Sequence, residues 1–72
     1  MLRLSDLVRV MATDRTVYLE KRWHVGGSTK TTAGALDMEL RLTGADFKVD
    51  WITPRGESVI VTVSVANDKE EE

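Results

Sequence analysis

ALDMELRL, residues 35–42, decides the fold, because two patterns are written over the same eight positions. Ala, Leu, Met, Glu and Arg are strong helix formers. Yet Leu36, Met38, Leu40 and Leu42 alternate strictly with Asp37, Glu39 and Arg41. On a helix those four apolar side chains spread around about half the circumference, whereas on a strand they share one face. The alternation is the stricter pattern and predicts a strand, with Asp37, Glu39 and Arg41 outward; a helix is the alternative.

Towards the C-terminus the chain reads as strand and turn. Thr43-Gly44-Ala45-Asp46 is turn chemistry. FKVDWIT, residues 47–53, places Phe47, Val49, Trp51 and Thr53 on one face. Pro54-Arg55-Gly56 predicts a turn, with Pro pre-set for its second position and Gly free to take positive φ. SVIVTVSVA, residues 58–66, is rich in β-branched side chains. Val59, Val61, Val63 and Val65 face a core there, and Ile60, Thr62 and Ser64 face away.

Towards the N-terminus, the glycine- and threonine-rich run 26–34 reads as a loop, with some of its residues available to extend the flanking strands. TVYLEKRWHV, residues 16–25, puts Val17, Leu19, Lys21, Trp23 and Val25 on one face and Tyr18, Glu20, Arg22 and His24 on the other. Before it, LSDLVRVMAT, residues 4–13, predicts a helix. Leu4, Leu7, Val8 and Met11 form a single apolar stripe, and Ser5 or Asp6 can cap its start. So short a helix must dock its stripe on other elements to persist.

These pieces predict an α+β domain over residues 1–66: a short N-terminal helix packed on a four-stranded antiparallel meander sheet. Val17, Leu19, Trp23, Leu36, Leu40, Val49, Trp51, Val61 and Val63 supply the expected core, with both tryptophans as anchors. Residues 67–72 read as a flexible acidic tail. A core this thin would gain from a homo-oligomer.

Composition narrows the function classes. At 42% hydrophobic and 31% charged the chain should fold. It has no cysteine and one histidine, which leaves no thiolate or histidine-rich metal site. No apolar run approaches the length of a membrane span, and charge replaces the apolar stretch of a signal peptide. The expected setting is therefore the cytoplasm. Net charge is −2, unevenly spread. Residues 1–30 hold six basic groups against three acidic ones, and residues 31–72 hold four against nine. That argues against a general nucleic-acid binder.

Chemistry-bearing motifs are weak. No P-loop, dinucleotide glycine pattern, HExxH or EF-hand sequence occurs. Gly26-Gly27 opens a polar loop and not a helix. His24 has Ser28 and Glu20 within sequence reach, but no nucleophile elbow surrounds either serine. Asp37, Glu39 and Asp50 offer carboxylates, but so shallow a core has little depth to desolvate one. The expectation is a protein that is not an enzyme and takes no cofactor or metal. The exposed tryptophan alternative, stacking on single-stranded nucleic acid beside Lys21, Arg22 and Lys48, is disfavoured by the acidic second half. The open sheet face is the best candidate site. Tyr18, Arg22, His24, Arg41, Lys48, Ile52 and Ile60 are expected there as partner-binding residues, interleaved with Glu20, Asp37, Glu39 and Asp50.

LSDLVRVMATDRTVYL, within residues 2–20, resembles the opening of small phage-encoded α+β proteins: a short L-x-x-L-x-x-V/M helix, a polar break and an immediate strand. KVDWITPRGESVIVTVSV fits the same architecture, while the long glycine–threonine loop departs from it. The resemblance implies a phage or mobile-element accessory factor that binds a host or phage protein. Some such factors inhibit host defence stoichiometrically, as anti-CRISPR proteins do. A self-associating assembly protein is the alternative, and a nucleic-acid module the third.

Overall fold

The computed structural model describes residues 2–65. The acidic tail expected at 67–72, and Ala66, lie outside the described residues. Among the described residues six elements follow one another: α1 (Leu4–Arg9), β1 (Thr16–Lys21), β2 (Thr29–Thr32), α2 (Ala33–Thr43), β3 (Phe47–Arg55) and β4 (Ser58–Val65). They build an α+β fold of two helices on one face of a four-stranded sheet.

The sheet is mixed, which corrects the expected meander. Its order is β2-β1-β4-β3, with β1 and β4 parallel at the centre and antiparallel hairpins on either side. The ambiguous segment is helical, and that accounts for the change. α2 connects the two edge strands, β2 and β3, so the second hairpin enters from the far side and sets β4 beside β1. The fourth strand is supplied by Thr29–Thr32, inside the run read as a loop.

α2 forms because both of its ends are closed. The Thr32 hydroxyl oxygen accepts from the Ala35 N–H at 3.2 Å. Gly44 takes φ +73°, and its N–H reaches the Leu40 carbonyl at 2.9 Å. The N–H groups of Ala33 and Gly34, orphaned at a helix start, donate to the Arg15 and Thr13 carbonyls. The alternation at 36–42 is two helical pairs in one. Leu36 and Leu40, four apart, are buried beneath α2 with Ala33. Met38 and Leu42 form the opposite pair and stand 63% and 79% exposed. Replacing Gly44 with Ala should cost about 1 kcal/mol, because a Cβ is strained in the left-handed region. Urea unfolding would measure it, and an unchanged midpoint would contradict this cap.

α1 is shorter than its stripe. Leu4 and Val8 are buried, Leu7 and Met11 partly so, but the chain leaves the helix after Arg9. Its N-cap is Arg3, with no side-chain cap of its own, so neither Ser5 nor Asp6 plays that part. Asp46, just before β3, does so from across the fold. One carboxylate oxygen accepts from the Ser5 N–H at 3.1 Å, the other from the Ser5 hydroxyl at 2.7 Å. The Phe47 N–H adds a third bond at 2.8 Å, and the Arg3 guanidinium lies 3.8 Å away. Burial raises the Asp46 pKa, but these donors outweigh it and hold the carboxyl below its ordinary value.

The core lies between the helices and one sheet face: Leu4, Val8, Val17, Leu19, Ala33, Leu36, Leu40, Val59, Val61 and Val63. Neither tryptophan belongs to it. Trp23 is 48% and Trp51 53% exposed. β1 ends at Lys21, so Trp23, His24 and Val25 fall in the turn and loop that follow. β3 carries a bulge between Val49 and Trp51. Asp50 is the extra residue, and it reverses the facing of everything after it. Trp51 thereby pairs with Thr62 on the helix-free face, and Ile52 pairs with Val61 on the helix side. β3 continues through Pro54, which an edge strand tolerates because it need not donate outward. The tight turn is Gly56-Glu57, with Gly56 at φ +61°.

Candidate functional site

The sheet face without helices is the candidate site, and its residues follow from the register. The row through the middle of β1 runs Lys30, Tyr18, Ile60, Thr53. The next row runs Glu20, Thr62, Trp51. Beyond it Ser64 pairs with Lys48, and at the opposite end Ser58 pairs with Arg55. Tyr18 and Ile60 are half-buried neighbours on the two central strands.

The bulge organises one corner of this face. The Arg22 N–H continues the central ladder by donating to the Val63 carbonyl at 3.0 Å. Its guanidinium donates to the Asp50 carboxylate at 3.3 Å and lies 5.3 Å from the centroid of the Trp51 ring. The other Asp50 oxygen accepts from the Ser64 hydroxyl at 3.3 Å. Asp50 thus fixes the guanidinium over an exposed indole, a cation–π contact on rigid backbone. Thr62 is buried beside it and donates its hydroxyl to Glu20 at 3.1 Å.

Of the seven residues expected here, Tyr18, Arg22, Lys48 and Ile60 share this face. The other three are elsewhere. Arg41 lies on α2, in the opposite layer, ion-paired with Asp37 at 3.2 Å; Asp37 also meets Arg9 at 4.0 Å. The helical conformation of 33–43 removes Asp37, Glu39 and Arg41 from the sheet altogether. Ile52 is turned to the helix side by the bulge. His24 sits in the loop after β1, on the wall of a shallow cleft of about 150 Å³ with Leu19, Lys21, Trp23, Gly27 and Thr29. Trp51, which simple alternation sets on the other face, belongs here as well. Its signal was the adjacent apolar pair Trp51-Ile52 straight after Asp50, where alternation fails.

A second aromatic group occupies the helix side of the sheet. Trp23 stacks on Phe47 with centroids 5.5 Å apart and planes at 25°. The Lys21 ammonium lies about 6 Å from both rings, at 6.0 and 5.9 Å. Lys21 thus brings its charge to the two stacked rings on an otherwise apolar face. Among the described residues no group of three His, Cys, Asp or Glu side chains is placed to hold a metal ion, and no helix is long and apolar enough to cross a membrane. Comparison with protein-family models, with curated proteins and with solved structures finds no match.

Proposed function

We propose that this chain acts without catalysis, by binding another protein through the helix-free face of its sheet. The observation that carries it is the Asp50–Arg22–Trp51 cluster. Trp, Arg and Tyr are the side chains that dominate binding energy when they become desolvated at an interface. Here Trp51 and Arg22 are held in place before any partner arrives, beside Tyr18 and Ile60, so little conformational freedom remains to be lost. With the resemblance of residues 2–20, this makes the chain a phage or mobile-element accessory factor, with a component of host defence as its target class. Self-association is the second reading, favoured by the outer edge of β2, which pairs with no strand among the described residues. The outer edge of β3 is instead paired at Arg3–Lys48 and at Val49–Leu2, then broken by its bulge and Pro54.

The test is capture from host lysate on the immobilised chain, comparing Arg22→Glu combined with Ile60→Asp against deletion of residues 67–72. Both variants are first shown folded by circular dichroism. Losing such anchors costs about 2 kcal/mol or more, roughly thirtyfold in affinity. Losing screened tail charges should cost well under about 1 kcal/mol. A deletion that weakens capture more than the double substitution would move the interface to the tail. Concentration-dependent sedimentation of the isolated chain would favour self-association.

A further inference from the structure

We infer that the partner of this face presents an acidic protein surface: carboxylates around an apolar or aromatic centre. This rests on the reading that the face is an interface, and adds the chemistry of what it takes.

The fold segregates charge in a way the linear sequence does not display. The strands of the helix-free face and their ends carry four basic groups, Arg22, Lys30, Lys48 and Arg55, against two acidic ones, Glu20 and Asp50, with Glu57 in the turn beside Arg55 as a third. Asp50 is already engaged by Arg22 and Ser64, and Glu20 receives the Thr62 hydroxyl. Lys30, Lys48 and Arg55 have no ion-pair partner among the described residues. Among the described acids of the second half, three lie away from this face. Asp37 and Glu39 are on α2, and Asp46 is bound to α1. Among the described residues, this face therefore holds more unpaired basic groups than unpaired acidic ones.

The arrangement selects protein over nucleic acid. Lys30 lies on one edge strand, and Lys48 and Arg55 lie on the other, three strand spacings of about 5 Å away. Between them run Tyr18, Ile60, Thr62 and Trp51. A polar rim around a less polar, aromatic centre is the anatomy of a protein interface. A single-stranded nucleic acid needs a continuous basic track and successive stacking platforms. Here the exposed indole already bears a guanidinium, and the other tryptophan, Trp23, stacks on Phe47, whose strand face is the helix side.

Titration of the ¹⁵N-labelled chain with polyglutamate, and separately with oligothymidylate, tests this at low and at physiological salt. Polyglutamate should move the amide signals of Lys30, Lys48 and Arg55, with the movement much reduced at physiological salt. Lys30→Glu combined with Lys48→Glu should weaken that binding about tenfold, each lost charge being worth up to about 0.7 kcal/mol. Arg9→Glu combined with Arg41→Glu, on the helix layer, should leave it unchanged. The inference is overturned if the shifts centre on Arg9 and Arg41, or if oligothymidylate saturates the sheet face at lower concentration than polyglutamate. If the rim stays unmoved while Arg22→Glu with Ile60→Asp still abolishes capture, the face is an interface for a partner of other chemistry, and only this inference falls.

Discussion

Replacing Asp46 with Ala is expected to destabilise the chain by about 3 kcal/mol, since charge-assisted hydrogen bonds contribute roughly 1.5–3 kcal/mol each and are not additive. The loss is large because this carboxylate joins three parts of the fold: the start of α1, the entry to β3 and Arg3. Ser5→Ala removes only the hydroxyl bond and should cost about 1 kcal/mol. It gives a milder readout should the Asp46 variant fail to fold. Urea unfolding of both measures the ratio, and equal small losses below about 0.5 kcal/mol would show that α1 is not anchored there. The same group sets an acid dependence. The folded pKa of Asp46 lies below its unfolded value of 3.8. The stabilisation is therefore complete above that value and is lost as pH falls through the lower folded one. Asp46→Asn should flatten the stability profile in that acid window, and an unchanged profile would assign the loss to other carboxylates.

The second large effect separates the two sides of α2. Leu40→Ala should cost about 3 kcal/mol by opening a cavity under the helix. Leu42→Ala, at an exposed position, should stay within about 0.5 kcal/mol. On a strand the two leucines would share a face and respond alike. Thermal unfolding monitored by circular dichroism compares them, and equal costs would contradict the helix.

That comparison also marks where sequence reasoning stopped. The apolar stripe of α1, the inward Val59, Val61 and Val63 of β4 and the two-layer class followed from periodicity, because each pattern admits one geometry; Val65, at the strand's end, is exposed instead. Residues 35–42 admitted two, since a helix carrying apolar pairs at both i, i+4 sets reproduces strand alternation. The deciding signals were at the ends, in the Thr32 cap and the Gly44 stop, and in the i, i+4 pair Asp37–Arg41. The conformation of that one segment decides other features, and its strand reading had three consequences. It hid the short strand Thr29–Thr32 and made the sheet antiparallel, and it put Arg41 on the candidate face. The site was half legible for a different reason. Tyr18, Arg22, Lys48 and Ile60 follow from simple alternation, but one inserted residue at Asp50 exchanged the faces of Trp51 and Ile52. A bulge obeys hydrogen-bond geometry and not hydrophobic period, so its only trace is a broken rhythm.

The parallel pairing of β1 with β4 bears on how the molecule comes into being. Of the four described strands, the two at the centre of the sheet are the first and the last in chain order, with partners such as Val17 and Val59 far apart in the chain. Until β4 emerges, β1 has only the four-residue β2 beside it, and the helices have half a floor to rest on. An isolated two-stranded hairpin is marginal at best, so the nascent chain has no stable halfway house. Such non-local closure slows folding relative to hairpin-by-hairpin assembly. The growing chain therefore stays exposed to proteases and chaperones until β4 slides into the middle.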